Sequence, residues 1–113
     1  MRLVPSRKVC EKFWITYDFK GCQKAVDFLT RHYGIRRMKI VLDGKKVHKK
    51  SWLACYYYDQ HTAYFKKRGL TKRYVLHELY HHIVNAKGLE TSSREEEKQA
   101  SAYSCNFARK ARG

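Results

Sequence analysis

The stretch His77-Glu78-Leu79-Tyr80-His81 has the form H-E-x-x-H and lies inside an apolar, helix-compatible run from Tyr74 to Val84. Histidines four residues apart share one face of an α-helix, one turn apart. Two neutral imidazoles so placed can bind one zinc ion at about 2.0–2.1 Å. Glu78 follows the first of them, about 100° round the helix by the 3.6-residue repeat, where it can lean over a water at that ion. Val75, Leu76, Leu79, Ile83 and Val84 make the segment too apolar for a solvated helix with incidental histidines, and fit a helix buried beside a cleft. His82 falls off the His77/His81 line and is expected in a supporting or surface position.

A catalytic zinc site needs a third protein ligand and one open position. The segment from Ser92 to Ser104 supplies candidates. It has the form of a second helix, with Ser92 or Ser93 as N-cap and glutamates in the first turn, where the helix dipole favours them. Ala100, Tyr103, Phe107 and Ala111 recur at helical spacing. Glu96 and Glu97 lie one turn before Ala100 and can point inward; Glu95 reads as a solvated cap residue.

His77-Glu78-Leu79-Tyr80-His81 followed by Glu97-Lys98-Gln99-Ala100-Ser101 resembles the gluzincin zinc metallopeptidases. In size the chain is most similar to minigluzincins, and the two helices are similar to those of the ImmA/IrrE and HtpX-like groups. The resemblance covers residues 70–108. It implies His77, His81 and Glu97 as zinc ligands and Glu78 as general base. It also implies a latent, zymogen-like form, with Met1–Glu11 or Arg109–Gly113 as blocking segments. The family carries Asp or Asn four residues after the third ligand, to orient the first histidine. This chain has Ser101, a shorter and weaker acceptor. Tyr80, Tyr103 and His61 are candidates for a second electrophile.

At 113 residues, 43% hydrophobic and 14% aromatic, the chain is expected to form a single domain, 1–113, with one modest core. It has no membrane-length apolar run and no signal-peptide pattern, so the expectation is a cytoplasmic protein with no membrane partner. Cys10, Cys22, Cys55 and Cys105 form no C-x-x-C pair and are read as reduced thiols, with Cys105 near the core. The net charge of +15, from 25 basic and 10 acidic residues, attracts nucleic acid or acidic partners. The basic residues are spread along the chain, which points to general electrostatics rather than a dedicated reading helix.

Residues 1–12 read as an N-terminal arm, and Phe13–Tyr17 suits a strand or the lead into a helix. A helix is expected over 18–33, closed by Gly34. Strands are expected over 37–42, 45–50, 52–59 and 63–67, with Asp43-Gly44 as a hairpin turn and 63–67 as the sheet edge on the cleft. Thr71 and Gly88 bound the motif helix. The fold class is therefore α+β: a small, mainly antiparallel sheet of three to four strands, an N-terminal helix, the HExxH helix and a C-terminal glutamate helix, a minimal zincin-like arrangement. The expected function is a small zinc-dependent endopeptidase acting on a peptide or protein substrate. The alternative is a basic nucleic-acid-associated protein, or a DNA-linked SprT-like peptidase, with a structural or degenerate HExxH site.

Overall fold

The structure, a computed structural model, describes residues 4–111. These form four α-helices and one three-stranded sheet: α1 (Arg7–Lys20), α2 (Cys22–Tyr33), β1 (Lys39–Leu42), β2 (Ala54–Tyr57), β3 (Thr62–Phe65), α3 (Lys72–Lys87) and α4 (Ser93–Ala111). The α+β class stands.

The helices begin and end where local chemistry directs. Ser6 Oγ accepts from Val9 N to open α1, Thr71 Oγ from Tyr74 N to open α3, and Ser92 Oγ from Glu95 N at the head of α4. Gly88 closes α3 at φ +64°, a left-handed cap that an L side chain resists, and Leu89 N returns to Val84 O. Residues 7–12 of the segment expected as an arm are helical, because Cys10 and Phe13 are fully buried one turn apart. Phe13 packs edge-on to Phe107 of α4, with ring centroids 5.5 Å apart. Gly21, at φ +98°, separates α1 from α2.

The sheet order is β1-β3-β2, with β1 parallel and β2 antiparallel to β3. The sheet is therefore mixed, and β3 is central rather than the expected edge. Thr62, Ala63 and Phe65 are accordingly buried. The strand expected over 45–50 is absent. Asp43 instead caps a 3-10 turn, Gly44–Lys46, by accepting from Lys45 N. Only Val47 of that run is buried, so it lacks the alternation that seats a strand on a core. α3 packs on α4 and on β2, α1 on α2 and α4. Their core holds Leu76, Leu79 and Ile83 of α3 against Tyr103 and Phe107 of α4, all almost wholly buried. No helix among the described residues is long and apolar enough to cross a membrane.

Candidate metal centre

α3 is buried on nearly every face, and two of its three histidines, His77 and His81, face the first turn of α4. His77 Nε2 lies 3.0 Å from Glu97 Oε2, and His81 Nε2 lies 2.9 Å from Glu97 Oε1. One ligand atom from each of the three residues falls within 4.8 Å of the others, so the group can hold a metal ion. Ligand atoms bound tetrahedrally at about 2.0–2.1 Å stand roughly 3.3 Å apart, close to the two nitrogen–oxygen separations found.

Glu96 takes the other side of His81. Its Oε2 accepts from His81 Nδ1 at 2.5 Å, and the Tyr58 hydroxyl donates to the same oxygen. The hydroxyl also stands 3.4 Å from His81 Nδ1. With Nδ1–H committed to Glu96, His81 turns Nε2 towards the Glu97 carboxylate. The 2.9 Å contact is met either by a proton on Nε2, which makes the ring an imidazolium between two carboxylates, or by a cation shared with Glu97. The donor set thus fits a cation, and Tyr58–Glu96–His81 has the form of a carboxylate–histidine–metal chain. Both glutamates that the sequence offered are engaged, the exposed Glu97 towards the two ring nitrogens and the buried Glu96 behind one of them.

Glu78 is 7% exposed and lines the cleft beside His77 and His81. Burial pushes its pKa up to about 7, with the Glu97 charge adding to the rise and His81 opposing it. Burial, then the charge on His81, holds the His77 pKa below its usual value, while Glu97 works against both. Burial foremost, followed by the bond to Glu96, raises the Tyr58 pKa far above the usual tyrosine value.

The cleft measures about 590 Å³. One wall is the β2 edge with the chain leading into it, including His48, Trp52 and Leu53; Tyr74 of α3 closes the near end. The strand edge at the cleft is therefore β2, not the 63–67 segment. Three candidates for a second electrophile lie elsewhere. Tyr80 and Tyr103 pack on each other, ring centroids 5.6 Å apart, and the Tyr103 hydroxyl bonds that of Tyr33 at 2.7 Å. His61 stacks edge-on to His82 behind the sheet, its Nδ1 buried without a hydrogen-bond partner. His48, Tyr58 and Tyr74 line the cleft in their place.

Ser101 is exposed and makes no side-chain bond to His77 among the described residues. His82 is fully buried, bonded to Tyr56 Oη at 2.7 Å and to Arg36 O at 2.6 Å, so it braces α3 against β2 rather than serving the metal face. Cys105 is exposed instead of packed in the core, and the four cysteines are unbridged. The described parts of the two tails meet each other on the α4 side: Lys110 Nζ bonds Pro5 O at 2.6 Å, and Val4 and Arg109 flank a small hollow with Tyr80. Neither lines the cleft; Met1–Leu3 and Arg112–Gly113 lie outside the described residues.

Tyr58 and the orienting role of Glu96 were not singled out from sequence. The signal for Tyr58 was its alternation with Tyr56, which puts both on one face of the β2 ribbon. Comparisons with protein families, with curated proteins and with solved structures find no match for this chain.

Proposed function

We propose that this protein is a small zinc-dependent endopeptidase of gluzincin type. The observation that carries the reading is the grouping of His77, His81 and Glu97 at the cleft, one ligand atom of each within 4.8 Å of the others, with the buried Glu78 beside them. Two imidazoles and one carboxylate are the ligands of a catalytic rather than a structural zinc site, because they leave a position open. Zinc, when bound, supplies Lewis acidity towards a peptide carbonyl and an attacking water.

The chain's own residues supply the rest. Glu78 accepts a proton from the attacking water and returns it to the leaving nitrogen, and its burial in the cleft favours its taking that proton. Glu96, held by Tyr58, fixes the His81 ring so that Nε2 faces the metal position. The outer edge of β2, which among the described residues pairs only with β3, offers backbone groups to an extended peptide that adds as a further strand. The half-exposed Trp52, the exposed Tyr58 and Tyr74 give that peptide apolar contacts.

Elemental analysis of the purified protein tests this, followed by peptide cleavage with and without chelator. The expected result is one zinc per chain, lost in His81→Ala and in Glu97→Ala, with cleavage abolished by chelation. Protein that folds, yet takes up no zinc when it is supplied in excess, refutes the proposal.

A further inference from the structure

The basic residues that are scattered along the chain are gathered by the fold. Residues 44–53 and 66–69 lie against each other. Lys66 N bonds Leu53 O at 3.0 Å, and Lys66 Nζ caps the carbonyls of Lys49 and Lys50 at 3.3 and 2.7 Å. Gly69 is buried directly on the Leu53 carbonyl, where no side chain fits. The two segments thus form one ridge carrying Lys45, Lys46, Lys49, Lys50, Lys67 and Arg68, all exposed. Neither segment contains an acidic residue. None of these six cations is in an ion pair among the described residues. The ridge adjoins the cleft, since His48, Ser51 and Trp52 of the same loop line it.

We infer that this ridge is a binding surface for the phosphate chain of a nucleic acid. A protein partner docks through an apolar or aromatic centre ringed by polar groups. Here Val47 is buried beneath the ridge, and Trp52 at its margin is a single exposed aromatic rather than an apolar centre. Six uncompensated charges on two abutting turns match a ligand of sustained negative charge density, which a phosphate chain is. All but one are lysines. These bind phosphates as point charges, and phosphate contacts carry no sequence information. Lys49 Nζ stands 4.9 Å over the ring of Trp52, which is 42% exposed and gives one base of a single strand a stacking partner at the ridge's margin. The inference needs no metal and holds whether or not the cleft hydrolyses peptides.

Fluorescence anisotropy with a labelled single-stranded thymidine oligonucleotide of about 20 nucleotides tests it. Two variants with equal charge loss are compared. The ridge variant carries Lys45, Lys46, Lys50 and Lys67→Gln; the distal variant carries Lys8, Lys24, Arg31 and Lys87→Gln, all exposed on α1, α2 and α3. Thermal melts first establish that both fold. The expected result is that the ridge variant binds at least about tenfold more weakly and loses roughly 2–3 units of salt slope, at about 0.7 unit per phosphate contact on a single strand. The distal variant stays within about threefold of the parent. Equal weakening in both variants overturns the inference, because net charge then suffices. So does the absence of binding at about 50 mM salt, or competition by polyglutamate as effective as by unlabelled oligonucleotide, which would make the ridge a site for acidic protein.

Discussion

Removing the Glu96 carboxylate should weaken zinc binding although Glu96 faces away from the metal position. Its hydrogen bond from His81 Nδ1 is 2.5 Å long, between side chains 8% and 9% exposed. A charge-assisted bond in so dry a setting is worth about 1.5–3 kcal/mol. At about 1.4 kcal/mol per decade of affinity, that is one to two decades, the range found when such orienting partners are removed. The Glu96→Gln variant keeps a carbonyl to hold the tautomer but loses the charge, so zinc affinity falls about tenfold. The Glu96→Ala variant also frees the ring to rotate, and the fall approaches roughly a hundredfold. Tyr58→Phe should act through the same path: its effect is smaller, and in the Glu96→Ala background it nearly vanishes, since the hydroxyl then has no carboxylate to hold. The assay is competition against a chromophoric chelator near neutral pH, with Glu95→Gln, exposed on the same turn, as control. If Glu96→Ala binds zinc within about twofold of the parent, the orienting chain is irrelevant to the site and the argument fails.

Three further outcomes follow from the geometry. Glu78→Gln should retain zinc but lose roughly 10²–10⁴ in kcat, read by peptide hydrolysis on metal-loaded protein; a metal-free variant would mean that Glu78 shapes the site instead. Gly69→Ala should destabilise the fold by roughly 1–3 kcal/mol in urea unfolding, because its methyl group meets the Leu53 carbonyl and either the 3-10 turn Lys67–Gly69 that carries it or the β2 lead-in must move. Stability should also fall above pH 10. Burial holds the Tyr103 pKa well above its usual 10, with Tyr33 adding to the rise. The unfolded chain therefore loses a proton that the folded chain keeps, and stability present below pH 10 is lost as pH rises through it. The thermal midpoint tracked across that range should decline less in Tyr103→Phe.

The segments legible in sequence were those where several local signals agree. The motif helix has a threonine cap, a closing glycine and a dense apolar pattern, and α3 runs between them as expected. The glutamate helix had its serine cap and its stripe of Ala100, Tyr103 and Phe107, all buried. The opposite case is Asp43-Gly44. As a dipeptide it signals a hairpin, but the lysines after it offer no second apolar face, and β1 pairs in parallel with the distant β3. Pairing between strands so far apart in sequence leaves no local trace. α1 was hidden for a related reason: it buries only Cys10 and Phe13, and its β-branched and aromatic residues favour a strand by composition. At the site, His77, His81 and Glu97 came from spacing and resemblance. Tyr58 could not, since its role depends on how β2 lies against α4.

The three residues that could hold a metal ion belong to one helical hairpin. His77 and Glu97 are 20 residues apart in sequence, and the linker between α3 and α4 is short. A cation shared by them closes a small loop, and closing a small loop removes little freedom from the unfolded chain. It would act as a clasp on two helices already packed through Leu79, Tyr103 and their neighbours, not as the keystone of the domain. The α1–α2 pair and the β1–β3 ladder lie outside that loop, so an ion bound there would leave their packing untouched.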